Sequence, residues 1–220
     1  MAGKRIGVVL SGCGVYDGSE IHEATLTLYF LDRAKAQIIA MAPNIPQFHV
    51  INHLTGEVVG NESRNCLVES ARIVRGHIRD IATVKADELD AIILPGGFGA
   101  AKNLSTIAFD GADAKIDPDT TRLLLDMYQA KKPIGALCIA PAMLSKVLAG
   151  KGVTLTIGDD GGVAGAIQKM GNVHQLSAFD GIVVDAANRI VTTASYMCAA
   201  SIAEVGPGIE KLVDHLLKMA

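Results

Sequence analysis

The stretch K-P-I-G-A-L-C-I-A-P-A-M-L, residues 132–144, passes from a strand pattern to a helix pattern with no loop residues to spare. Pro133–Leu137 reads as a buried strand and Ile139–Leu148 as a helix, so Cys138 falls on the turn itself. A reversal this tight holds its apex residue in a strained backbone conformation and needs small neighbours. Gly135, Ala136 and Ala140 supply them, and Pro141 suits a first helical turn, where no N–H is required. A thiol at a helix N-terminus faces free N–H groups and the positive end of the dipole, both of which favour thiolate. The bland alternative is a small buried hydrophobe at a strand end, the ordinary fate of a free cysteine.

Outward from that turn, short β-rich runs alternate with helical stretches, which argues for parallel βαβ units in an α/β domain. Ile6–Ser11 reads as the first strand, followed by a glycine-rich loop over Gly12–Gly18. Ile21, Ala24, Leu28 and Leu31 then recur at helical spacing, and Gln37–Ala42 is a strand stopped by Pro43. His49–Val59 looks like an added hairpin turning at Thr55-Gly56, with a helix over Asn65–Arg75 after it. Ala91–Leu94 is a strand ending in Pro95-Gly96-Gly97, and Pro118–Ala130 is a helix. Ile182–Val184 and Ile190–Thr193 pair around Asn188, and an amphipathic helix carrying Ile209, Leu212, Val213 and Leu216 closes the chain. No repeat, low-complexity tract or linker interrupts residues 1–220, so one domain is expected. Ligands of open α/β sheets sit beyond the C-terminal strand ends. The loops leaving those ends are Gly12–Gly18, Gly96–Lys102 and the turn at Cys138.

Composition narrows the function. Half of the 220 residues are apolar and a fifth are charged, which is globular composition with enough material for a full core. A formal net charge of −3 provides no basic surface for nucleic acid and no polybasic membrane anchor. The first apolar run, Ile6–Leu10, is too short for a signal segment, and nothing approaches the ~20 apolar residues of a membrane span. A cytoplasmic location is expected. Cys13, Cys66, Cys138 and Cys198 are far apart and form no Cys-x-x-Cys pair, so neither a disulfide framework nor a zinc site is expected. Gly12, Gly14 and Gly18 miss the dinucleotide fingerprint by one position, and the second strand ends in Met41-Ala42-Pro43 rather than an acid. No cofactor is expected.

The segment around Cys138, together with L-P-G-G-F-G-A-A-K-N-L-S (94–105) and G-V-Y-D-G-S-E-I-H-E-A (14–24), resembles the ThiJ/PfpI superfamily, related in fold to class I glutamine amidotransferases. Within it the chain is similar end to end to an ElbB-type branch described as glyoxalase or isoprenoid-biosynthesis-associated, including N-H-L-T-G-E (52–57). The resemblance implies a three-layer flavodoxin-like sandwich with a mostly parallel central sheet, a nucleophile elbow and a small added hairpin. It implies that Cys138 is the nucleophile and that Glu23 approaches it from the first helix. It further implies an oxyanion hole built from the Gly96-Gly97 loop and the N–H of Ile139, and a homodimer. Relatives place a histidine directly after the cysteine or about twenty residues beyond; here those places hold Ile139 and Ile157-Gly158-Asp159. Without that base, protease and amidotransferase activities are not carried over.

Two acids follow the first loop. Asp17-Gly18-Ser19-Glu20 has capping-box spacing, with Asp17 as N-cap and Glu20 reaching back. Glu23 lies past the first turn of a helix apolar on several sides, so burial should raise its pKa and let a protonated carboxyl donate to a Cys138 thiolate. His22 points about 100° away from Glu23 around the helix. His53 sits in the hairpin, which could fold over the pocket as a lid, although an ordinary surface or structural role is favoured for it and for His22. Lys102, Tyr196 and Cys13 are further candidates for lining the pocket, each with a plain packing alternative. A thiol, an acid and amide donors suit addition to a small aldehyde or dicarbonyl, and the resemblance makes that glyoxal converted to glycolate. The alternatives are a cysteine-based sensor or chaperone, in which Cys13 partners oxidised Cys138, and a non-catalytic protein associated with isoprenoid biosynthesis.

Overall fold

A computed structural model describes residues 3–220. The chain begins with β1 (Arg5–Val9), α1 (Ile21–Arg33) and β2 (Gln37–Ala42), then the small hairpin β3 (Ile51–Asn52) and β4 (Glu57–Val58). Next come α2 (Cys66–Ile73), β5 (Arg79–Asp80), β6 (Ala91–Leu94), α3 (Phe98–Lys102), α4 (Ile107–Asp110) and α5 (Pro118–Gln129). The turn of interest joins β7 (Ile134–Leu137) to α6 (Ala140–Val147). The remainder is β8 (Thr154–Leu155), α7 (Gly161–Lys169), β9 (Val173–His174), β10 (Val183–Asp185), β11 (Ile190–Thr193) and α8 (Ile202–Met219).

Seven strands form the central sheet in the order β10-β11-β7-β6-β1-β2-β5. Every neighbouring pair runs parallel except β10 with β11. Side-chain alternation sends Ile6, Val8, Ala91 and Ile93 to one face, where they meet Leu31, Ile209 and Leu212. Val9, Ile92 and Leu94 point to the other face, against Leu123, Leu124 and Leu144. Helices thus cover both faces, giving the three-layer α/β sandwich with a mostly parallel sheet. A glycine at 135 lets α8 approach β7: an added Cβ would sit 3.1 Å from both Leu212 Cδ2 and Leu216 Cδ1.

The sequence reading holds for the long elements and misses the short ones. β5, β8, β9, α3 and α4 carry too few residues for a periodic signal, and α7, with three glycines in nine residues, reads as a loop. The closing helix starts at Ile202, capped by Ser201, and runs through Pro207. No helix among the described residues is long and apolar enough to cross a membrane.

Candidate active site

Only Cys138 and Ile139 lie between β7 and α6. Cys138 has φ +60°, a left-handed conformation that costs a non-glycine residue about 1–3 kcal/mol. Its own N–H donates to the Thr193 carbonyl of β11 at 3.0 Å, so the neighbouring strand holds the elbow in place. The side chain is buried, and the N–H groups of Gly97 and Ile139 point at the sulfur. Gly96 does not take the oxyanion-hole place expected for it. Its N–H donates instead to Glu23 Oε2 at 3.0 Å. A Cβ at position 96 would lie 2.7 Å from that oxygen and 2.9 Å from Cys138 Sγ, so the thiol and carboxyl fill the space a side chain would need. Gly97, at φ +96°, turns its backbone against Gly18 and Glu20.

Glu23 is fully buried beside the thiol and accepts a second hydrogen bond, at Oε1, from the Tyr196 N–H at 3.2 Å. Burial, reinforced by Glu20, pushes its pKa up to about 8. Burial and then the Glu23 charge also push the Cys138 thiol well above its ordinary value, against the Gly97 and Ile139 N–H groups, which favour thiolate. The lowered thiol pKa expected at the elbow is therefore corrected. Its amide donors are present, but desolvation of the buried sulfur outweighs them. Two groups this close cannot both ionise, so they titrate as a pair.

Glu20 also departs from expectation. It is itself the N-cap of α1, its Oε2 accepting the Glu23 N–H at 2.7 Å. Asp17 turns away and accepts the Ile51 N–H of the hairpin at 2.7 Å, because Gly18 and Ser19 are tied back onto Gly14 and Gly12. The two glycine loops are laced together: Phe98 N–H donates to Val15 O, Gly99 N–H to Gly18 O, and Glu20 N–H to Gly96 O, at 2.8, 2.8 and 3.0 Å. Asn103 clamps the same junction, donating to the carbonyls of Ser11 and Asp17 and accepting from Phe48 N–H, each at 2.8 Å.

A cavity of about 550 Å³ opens over Cys138. Glu20, Gly97, Ile139 and Tyr196 line it as anticipated, whereas Cys13, His53 and Lys102 do not. The loop carrying Cys13 lies against α2, where Gly12 N–H donates to Ser70 Oγ at 2.8 Å, and burial, then Glu69, raises the Cys13 thiol. His53 packs against Gly14 and accepts the Tyr16 N–H at 3.2 Å, so the hairpin braces the first loop rather than covering the thiol. Lys102 lies 4.7 Å above the Phe98 ring and reaches the Tyr16 carbonyl at 3.4 Å. Tyr196 joins its hydroxyl to His22 Nδ1 at 2.8 Å, and no histidine lines the cavity. Sequence reasoning missed the wall contributed by Phe98, Ile107, Asp160, Val163, Ala166 and Met197. These residues come from α3, α4, the α7 terminus and the turn after β11, and nothing local marks them as a pocket. Among the described residues no group of three or more His, Cys, Asp or Glu is disposed to hold a metal ion.

The model of the DJ-1/PfpI family matches residues 13–201, a span containing both the elbow and Glu23. The chain belongs to the DJ-1/PfpI family. Similar proteins include the ES1 protein homolog, mitochondrial, of Rattus norvegicus, 45% identical over 98% of this chain and 84% of the relative. The glutamine amidotransferase-like class 1 domain-containing protein 3, mitochondrial, of Homo sapiens is 46% identical over 98% and 83% of the two chains. The ES1 protein, mitochondrial, of Danio rerio is 34% identical over 98% and 86%. The crystal structure of an isoprenoid biosynthesis protein with amidotransferase-like domain from Ehrlichia chaffeensis superposes with a TM-score of 0.92, at 41% identity over 98% and 99%. Drosophila melanogaster DJ-1beta shares the DJ-1/PfpI fold at a TM-score of 0.56 and 16% identity over 99% and 95%. These relatives overturn the expected cytoplasmic location, since the rat, human and zebrafish members are all named mitochondrial. A folded domain's composition does not report the compartment to which it is delivered.

Proposed function

We propose that the chain is a cofactor-independent thiol enzyme acting on small dicarbonyls, with glyoxal as the simplest substrate. The observation that carries this reading is the arrangement of Cys138 between two amide donors, Gly97 and Ile139, and the raised carboxyl of Glu23. Glu23 takes the thiol proton as sulfur attacks one carbonyl carbon, and the hemithioacetal oxyanion is received by the two N–H groups. Glu23 passes that proton to the oxyanion, removes the hydrogen of C1 as a proton and returns it to C2 through the enediol, so C1 is oxidised as C2 is reduced. The product is a Cys138 glycolyl thioester. Water cleaves it to glycolate, returning the thiol. A carboxyl with a pKa near 8 is close to the working pH for carrying these protons.

A second reading is an amidotransferase-like protein associated with isoprenoid biosynthesis and without turnover of its own. The upward-shifted thiol and the cavity without histidine favour it, and the name of the Ehrlichia neighbour speaks for it more directly than for glyoxal. Glycolate release from glyoxal, followed together with mass spectrometry of the Cys138 peptide, separates the two. The enzyme reading requires glycolate well above the uncatalysed rate, and no glycolate from the Cys138→Ala variant. Background glycolate with no adduct on Cys138 rejects it in favour of the second.

A further inference from the structure

Resting on the thiol–carbonyl reading of Cys138, we propose that the cavity selects neutral α-oxoaldehydes bearing an apolar tail, and rejects phosphorylated or carboxylated ones. The size is the first argument. A cavity of about 550 Å³ lies in the range that holds drug-sized ligands, and a two-carbon dicarbonyl fills a small part of it. The wall is the second. Val15, Phe98, Ile107, Ile139, Val163 and Met197 surround the space beyond the sulfur with hydrocarbon and thioether. Charge is the third. No Lys, Arg or His lines the cavity, and its two carboxylates are Glu20 and Asp160.

Those carboxylates also remove the sites an anion would otherwise use. Glu20 caps α1, and Asp160 caps α7 by accepting the Val163 N–H at 2.9 Å. A phosphate approaching either helix terminus would meet a carboxylate already seated there. Lys102, on the helix that supplies Phe98 and Ala101, is held at the Tyr16 carbonyl and over the Phe98 ring. The two backbone donors at the sulfur, Gly97 and Ile139 N–H, suffice for one hemithioacetal oxygen. The ligand class that remains has one reactive carbonyl end, no net negative charge and an apolar chain. An α-oxoaldehyde with an alkyl or prenyl tail meets this description, and a prenyl diphosphate does not.

The test is a series of alkyl-substituted α-oxoaldehydes, from methylglyoxal to 2-oxooctanal, with an ω-carboxylated chain as anionic control. Each methylene buried should raise kcat/KM about two- to fourfold until the cavity is full. The terminal carboxylate should cancel that gain. Ala166→Phe, or Ala108→Phe on the exposed rim if the first variant folds poorly, should collapse the ratio of 2-oxooctanal to glyoxal turnover. Glyoxal turnover with no dependence on chain length would overturn this inference while leaving the thiol reading intact. Should no aldehyde be turned over, the thiol reading falls alone, and calorimetry with unreactive 2-heptanone against acetone decides the cavity's preference. Tighter uptake of the longer ketone, weakened by Ala166→Phe, supports the inference, and equal or absent uptake of both overturns it.

Discussion

Cys13 and Cys138 both leave parallel strands at one edge of the sheet, yet only Cys138 reaches the cavity. After β1 the chain takes all of residues 10–20 to reach α1, and it uses that slack to fold the glycine loop carrying Cys13 against α2. After β7 only two residues precede α6, and one of them is forced into left-handed backbone. A thiol on a long loop goes where packing is easiest, whereas a thiol on an elbow has nowhere else to point. The strand between them matters too. β6 separates β1 from β7, which at about 4.8 Å per strand sets the two exits roughly 10 Å apart.

The sharpest way to break this comparison is to remove each sulfur in turn. Cys138→Ser should lower aldehyde turnover by at least about a thousandfold, because the hydroxyl is a far weaker nucleophile without a strong base. Cys13→Ser should leave kcat/KM within about twofold. Comparable losses in the two variants would mean that the elbow does not single out its thiol.

A smaller effect separates Glu23 from Glu20, one helical turn apart. Unfolded, Glu23 gives up its proton near 4.5; folded, it keeps it until about pH 8. Between those values the native state binds the extra proton, so stability falls as pH rises, by up to about 1.4 kcal/mol per pH unit from this group. Urea unfolding from pH 5 to pH 8 should show that slope in wild type and Glu20→Gln, and lose it in Glu23→Gln. The glutamine variant should also be less stable at pH 5, since both carboxyl oxygens accept backbone N–H groups and an amide NH₂ cannot. A slope unchanged by Glu23→Gln would place the raised carboxyl elsewhere.

The smallest effect concerns oxidation. A disulfide needs Cα atoms within about 7 Å, and the strand spacing denies this to Cys13 and Cys138. Mild peroxide followed by peptide mapping should therefore leave both thiols out of a shared disulfide, with Cys13→Ser changing the Cys138 oxidation products little. A Cys13–Cys138 disulfide in the wild type would show that the first loop moves much farther than its hydrogen bonds suggest, and would revive a sensor role.

Amino-acid order alone was enough to place the elbow, the buried acid and the added hairpin, because each is a local matter. Strand periodicity running straight into helix periodicity leaves Cys138 no loop to occupy, and apolar neighbours on most sides of α1 bury Glu23 wherever that helix packs. Tertiary structure alone decided which acid caps α1, because Asp17 finds the Ile51 N–H thirty-four residues away. It also decided that Gly96 holds Glu23 rather than an oxyanion, that the Cys13 loop lies against α2, and that four separate segments wall an apolar cavity. The direction of the Cys138 pKa belongs to the same class. Helix-end amides are visible in a local pattern, but desolvation is the sum of every atom packed around the sulfur, and no stretch of sequence carries that sum.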